Sequence, residues 1–311
     1  MRVSVMVLGL VCLCAMVIGT AAPLVQEDDV RGAFLTSRPK EKPASSGTAT
    51  RPNRRRPKAA AVSNNPGKSP DKTSAKTPAK TDTPAASSTP STASTPLKPV
   101  NAPRIGLGLT LFMRDSNGLA VRTDPDHVFQ KGDRVRVLLE TNTDGYLYIF
   151  NTTNDGSPVM IYPHADLDEA GNYLQAHVPF EIPSSLAAEE RLRWFAFDEV
   201  AGTERLFFVF TREPMSGLPI DDELMALCRD SKESCPVKPS SEVWAAVQKQ
   251  MQEPLAKDKT QQQYGRTETT AEQQATTRGL GLAKDDPQPS LVMMASSPRS
   301  TLVTTLDLIH K

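Results

Sequence analysis

The sequence predicts a mainly β protein: an antiparallel β-sandwich with one or two short helices, preceded by a long disordered linker. Three observations lead there. From Ile105 onward, short runs of alternating apolar and polar residues follow one another, separated by turn residues such as Asp115–Gly118, Lys131–Asp133 and Asn154–Gly156. Pro163, Pro179, Pro183 and Pro214 stand at the ends of such runs, where a missing backbone donor interrupts no ladder. Before Ile105 the chain is built largely from Pro, Ser, Thr, Ala and Lys, and such a segment buries too little apolar surface to offset the entropy of ordering.

The first strand is GLGLTLFM, in which Leu107, Leu109, Leu111 and Met113 share one face, the pattern of a half-buried strand. After the turn at Lys131-Gly132-Asp133, Val135, Val137 and Leu139 alternate with Arg134, Arg136 and Leu138. The next strand, GYLYIFN, places Tyr146, Tyr148 and Phe150 on one side and Leu147, Ile149 and Asn151 on the other. Both sides are largely apolar, so this strand is expected in the interior, with Val159–Tyr162 returning beside it as a hairpin. HVPFEIP, LRWFAFDEV and ERLFFVFTREP are further strands. Asp221 or Asp222 is positioned to cap a helix through DELMALC, and Ser240 or Ser241 a helix in which Val243, Trp244 and Val247 share a face. The last residues, TLVTTLDLIHK, have the apolar content of a strand.

Five segments result. Residues 1–21 have the layout of a cleaved signal peptide: Arg2, an apolar run from Val3 to Ile18, then small residues up to Ala21. Residues 22–104 form the disordered basic linker, 105–250 the β-sandwich domain, 251–298 a Gln/Thr-rich flexible segment, and 299–311 a strand returning to the domain. Export implies a periplasmic or extracellular location, with membrane attachment only if the signal is uncleaved. In an oxidising compartment Cys228 and Cys235 are a candidate disulfide, worth about 2 to 3 kcal/mol by the chain-entropy model, the alternative being two free surface thiols.

The 36 basic and 36 acidic residues cancel over the 311-residue chain. The cancellation hides a basic arm in which Arg51, Arg54, Arg55, Arg56 and Lys58 cluster. Spacing and solubility account for such an arm, and so does attachment to an envelope protein or an anionic envelope polymer. Nucleic acid is disfavoured, because no aromatics interleave with the charges.

The combination of Phe129, Gly132-Asp133, Asp144-Gly145-Tyr146-Leu147-Tyr148, Tyr162-Pro163 and Gly202-Thr203-Glu204 resembles a bacterial family, domain of unknown function 4384, from about Leu107 to Pro214. A terminal strand followed by His and a basic residue, here Leu306 to Lys311, is similar to the family as well. The resemblance implies a small non-catalytic β-rich module and carries over no catalytic residue. The motif residues themselves read as structure: glycines and aspartates for turns, aromatics for core.

No catalytic, cofactor-binding or metal-binding motif is expected. GxSxG, HExxH and phosphate-cradling glycine loops are missing from the sequence. A nucleophile made from Cys228 or Cys235 with His127, His164 or His177 is disfavoured, because the cysteines are placed to pair. HADLDEAGN places Asp166, Asp168 and Gly171 like a calcium loop, but Ala170 and His177 occupy two ligand positions. Asp124 and Asp126 are acids that bear on the same question. A row of Tyr146, Tyr148 and Trp194 would bind sugar or peptide if exposed; burial is favoured for Tyr148 and Phe150. The expected role is an exported non-catalytic binding or assembly module of the bacterial cell envelope. The alternatives are an envelope hydrolase or metal-dependent enzyme with an unrecognised site, or a glycan-binding module.

Overall fold

Two β-sheets packed face to face enclose the main core, as the strand pattern predicts. The computed structural model describes residues 29–41, 104–164, 171–231, 235–296 and 299–311. The expected signal peptide and most of the expected linker lie outside the described residues.

In chain order the elements are α1 (Val30–Thr36), β1 (Gly106–Arg114), β2 (Ala120–Arg122), β3 (Val128–Phe129), β4 (Arg134–Thr141), β5 (Gly145–Thr153), β6 (Val159–Tyr162), β7 (Tyr173–Leu174) and β8 (Phe180–Ile182). Then come β9 (Phe195–Ala196), β10 (Gly202–Thr211), α2 (Asp221–Asp230), α3 (Ser241–Met251), β11 (Leu255–Lys259), α4 (Thr270–Arg278), β12 (Leu291–Ala295) and β13 (Thr301–His310). The first sheet runs β11-β12-β1-β4-β8, with β2 on β1 and β9 on β4. The second runs β3-β13-β10-β5-β6, with β7 on β5. The described pairings are antiparallel except that of β3 with β13.

Alternation sets the core. Leu107, Leu109 and Leu111 of β1, Val135, Val137 and Leu139 of β4, Leu147 and Ile149 of β5, and Leu206, Phe208 and Phe210 of β10 meet between the sheets. The opposite faces are covered as well, since sheets this apolar cannot leave a second face in water. On the second sheet, Tyr146, Tyr148, Phe150, Phe207 and Val209 lie beneath Leu224 of α2 and Val243 and Val247 of α3. The Tyr148 hydroxyl accepts a hydrogen bond from Met215 N at 2.9 Å, which satisfies the polar end of a buried ring. Burial raises the pKa of this phenol.

Four details differ from the sequence expectations. First, β1 is buried on both faces rather than one. Phe34 and Pro289 close over Gly106 and Gly108, and a Cβ at Gly108 would overlap the Pro289 ring. Second, residues 22–104 are not linker throughout, because α1 packs Val30 and Phe34 against Val292 and Met294 of β12. Third, the Gln/Thr-rich stretch supplies β11, α4 and β12; β12 is an interior strand that pairs with β1 on one side and β11 on the other. Helix α4 owes its start to a capping box between Thr269 and Glu272. Fourth, α2 has Ile220 at its N-cap with no side-chain cap, and Asp221 and Asp222 fall in the first turn. There their charge complements the helix dipole. Helix α3 begins as expected, with the Ser240 hydroxyl accepting from Val243 N.

Cys228 and Cys235 are joined as a disulfide with Cα atoms 5.5 Å apart, tying the end of α2 to the segment before α3.

Candidate functional site

The motif residues gather at the two ends of β5. At the Gly145 end they build structure. A Cβ on Gly145 would strike the Thr211 carbonyl and the Phe210 ring, so only glycine allows β5 to lie this close to β10. Asp144 accepts from Ala176 N at 2.8 Å and from the Tyr173 hydroxyl at 3.0 Å. Tyr146 meets the Tyr173 ring edge-on. Tyr162 is buried against Phe180 and donates its hydroxyl proton to Gly171 O at 2.9 Å, and the bond to Pro163 is cis. The row of Tyr146, Tyr148 and Trp194 does not exist as a surface. The tyrosines lie under α2 and α3, whereas Trp194 packs with Phe112 and Leu138 on the outer face of the other sheet.

At the other end the motif residues surround a pocket. Gly132 has a positive φ of 89° and supports the turn in which Asp133 accepts from Gln130 N at 2.8 Å. The backbones of Gly132 and Asp133 hold both sides of Phe197 through hydrogen bonds of 2.9 and 3.1 Å. That fixes Phe197 in a stack on Phe129, with ring centroids 4.7 Å apart, and places its ring 5.0 Å from that of His310. Gly202 passes against the Asn154 side chain. Two residues on, Glu204 accepts from Asn151 Nδ2 at 2.8 Å and Thr153 Oγ1 at 2.9 Å.

The resulting cavity has a volume of about 190 Å³. Ile161, Phe197, Leu206 and Leu308 give it an apolar floor, and Asn151, Asp198, Glu204 and His310 supply its polar groups. Neither Asp198 nor Glu204 has a cationic partner among the described residues; Asp198 accepts from Val200 N, and Glu204 has the two neutral donors above. His310 Nδ1 and Asn151 Oδ1 are buried without a hydrogen-bond partner. Buried polar atoms are nearly always paired, and both of these belong to residues that line the cavity.

The outer face of the first sheet carries three buried ion pairs that the sequence reading did not single out. Arg38, which follows α1, forms a fork with Glu140 of β4 at 2.8 and 2.6 Å, and donates further to the carbonyls of Ala283, Asp286 and Pro287. His177 adds Nδ1 to Glu140 at 2.7 Å and Nε2 to Ser37 Oγ at 2.9 Å. Burial alone would raise the Glu140 pKa, but the bonds from His177 and Arg38 outweigh it and hold this carboxyl below its ordinary range. Arg122 of β2 pairs with Glu272 of α4, and burial lowers the Arg122 pKa.

Arg136 of β4 lies over Trp194 with 4.5 Å between guanidinium and ring, 3.2 Å from Glu181 and 3.0 Å from Glu268. Burial, then the charge of Glu181, push the Glu268 pKa up to about 8. The folded chain therefore keeps a proton that the unfolded chain releases at the ordinary value of 4.5. Stability is expected to fall as pH rises from about 4.5 to about 8 and to level off above. Glu268→Gln, which keeps the shape without the charge, should flatten that profile and make the variant the more stable form near pH 9. Urea midpoints across the range check this, and a variant-to-parent difference independent of pH would contradict it.

The acids weighed as metal ligands, and disfavoured for that role, behave otherwise. Asp124 and Asp126 both bind Lys259 Nζ, at 2.7 and 2.6 Å. Those bonds hold Lys259 protonated, its pKa raised against the effect of burial. Asp166 and Asp168 lie outside the described residues. Among the described residues no group of three His, Cys, Asp or Glu is placed to hold a metal ion, and no helix is long and apolar enough to cross a membrane.

Fold and pocket together define a two-sheet β module whose signature residues frame one open end of the sandwich. Residues 128–214 match the family model described as Domain of unknown function (DUF4384), so the stretch from β3 to the end of β10 carries this family's signature. The strand from Leu107 and the C-terminal strand lie outside the matched residues. No curated protein and no solved structure matches the chain.

Proposed function

We propose that this protein is an exported, non-catalytic binding module of the cell envelope, and that it takes a basic side chain of a partner protein into the pocket at the Glu204 end. The observation that carries the reading is the mismatch inside that pocket: two carboxylates without a cationic partner among the described residues, beside an apolar floor. A lysine side chain supplies what is lacking, an ammonium donor on an apolar stem. The volume of about 190 Å³ lies below the range of small-molecule pockets, roughly 300 to 1,000 Å³, and suits one side chain. The reading as non-catalytic is supported by the motif residues at the Gly145 end acting as turns and core, and by the cysteines being tied in a disulfide. Export rests on the layout of residues 1–21.

Titration of the mature chain with N-acetyl-lysine methylamide and with its uncharged norleucine counterpart tests the pocket. The lysine ligand is expected to bind, and Asp198→Asn with Glu204→Gln to weaken it about tenfold, roughly 1.4 kcal/mol. Equal binding of the norleucine ligand, or no effect of the double substitution, would remove the reading. N-terminal sequencing of the protein from fractionated cells tests export separately; a mature chain starting at Ala22 outside the cytoplasm is the expected result.

A further inference from the structure

A second cleft, of about 360 Å³, opens on the outer face of the first sheet between the β1–β2 turn, Trp194 and α4. Its size falls among pockets that take one small molecule. Three guanidinium groups line it, those of Arg114, Arg136 and Arg193. Two of them are neutralised: Arg114 by Glu190 at 2.6 Å, and Arg136 by Glu181 at 3.2 Å. Arg193 has no carboxylate partner among the described residues. Its Nε and Nη2 donate to the carbonyls of Ala187 and Ala188 at 2.7 and 3.4 Å, which sets the plane of the fork while leaving its charge uncompensated. A guanidinium held in this way is suited to a planar anion such as a carboxylate.

The rest of the lining argues against a bare anion. Glu268 shares the cleft wall, but its side chain is only 4% exposed and turned toward Arg136 and Glu181. The Glu190 carboxylate on the same wall disfavours a compact dianion. Gln273 of α4 stands exposed on the wall with donor and acceptor on one amide. Leu119, 51% exposed, offers an apolar patch at the rim.

We propose that this cleft binds a sugar ring bearing a carboxylate, a uronic-acid-type unit of an acidic glycan. The carboxylate lies on Arg193 and the outer side of Arg114, ring hydroxyls reach the exposed amide of Gln273, and a C–H face of the ring covers Leu119. The accessible groups of the cleft then meet complementary groups on one ligand. Neither a neutral sugar, which leaves Arg193 unmatched, nor a simple carboxylate, which leaves Gln273 unmatched, does the same. The site lies on the other side of the first sheet from the Glu204 pocket and goes beyond the function proposed for it. The two proposals fail or stand independently.

Calorimetric titration of the full chain with methyl glucuronide, methyl glucoside and propionate tests the site. Methyl glucuronide is expected to bind at least about tenfold more tightly than either of the others. Arg193→Gln should weaken it about tenfold and Gln273→Ala a few-fold, whereas Glu204→Gln should leave it unchanged. Gln273 is exposed on α4, so the second variant still reports if loss of the Arg193 bonds to Ala187 and Ala188 unfolds that loop. Methyl glucoside or propionate binding as tightly as the glucuronide would overturn the proposal. So would absence of glucuronide binding up to about 10 mM, or a glucuronide affinity untouched by both variants.

Discussion

A chain ending at Ser300 is expected to lose cooperative folding. Strand β13 is not an edge addition: it pairs along ten residues with β10 on one side and with β3 on the other. It buries Leu302, Leu306 and Leu308 between the sheets and Val303 beneath the helices. Four fully buried aliphatic side chains are worth about 1.5 to 3 kcal/mol each, before the cost of opening the β10 ladder to water. The sum is comparable to the whole net stability of a domain, about 5 to 15 kcal/mol. Near-UV circular dichroism and urea unfolding of the truncated chain are the measurements, and a synthetic peptide of residues 301–311 added in trans is expected to restore the signal. A truncated chain with a sharp transition near the parent midpoint would mean that β10 is stabilised by something other than β13.

Arg38→Ala should cost about 3 to 5 kcal/mol, the range for removing one partner of a buried ion pair. The loss arises because Glu140 stays in the interior with only His177 to compensate it, and because the carbonyls of Ala283, Asp286 and Pro287 lose a shared donor. Release of α1 should accompany it, visible as faster amide exchange and easier proteolysis over residues 29–41. Replacing both partners, Arg38→Met with Glu140→Leu, is expected to recover much of the loss, since an apolar pair leaves no charge in the interior. Because Glu140 is held below its ordinary range, the contribution of this pair is present at neutral pH. It is lost on acidification through the lowered pKa of the folded state. A cost below about 1 kcal/mol, with residues 29–41 still protected, would show that Phe34 and Val30 alone hold the segment.

Much of the sandwich was legible because strands announce themselves through a period of two. Val135, Val137 and Leu139 face the core as the alternation requires, and the doubly apolar β5 lies in the interior of its sheet. The same alternation concealed the ion pairs. Arg122, Arg136 and Glu140 occupy outward positions, where a charged side chain ordinarily meets water. Nothing local distinguishes a charge facing solvent from one facing a cover made of residues distant in sequence, such as Arg38 and Glu272. Segments poor in large apolar residues misled for a related reason. Helix α1 buries only Val30 and Phe34 and adds the Arg31–Asp258 pair, and α4 buries Glu272, Ala275 and Thr276, so composition suggested flexibility where pairing and capping supply order. The motif residues were recognisable as a set, but that Glu204, Asn151 and His310 line one cavity depends on the register of β10 with β5 and β13.

The docking of α1 alters how tension would travel through the molecule. The described residues on either side of positions 42–103, Arg38 and Ile105, are both buried in the same folded unit. A pull from the N-terminal side is resisted first by α1, through Arg31 on Asp258 and the packing of Val30 and Phe34, and only then by the Arg38–Glu140 clasp. The same contacts mean that force reaching α1 is borne by the first sheet itself, through β4, β11 and β12, so the start of the described chain carries load as part of the sandwich.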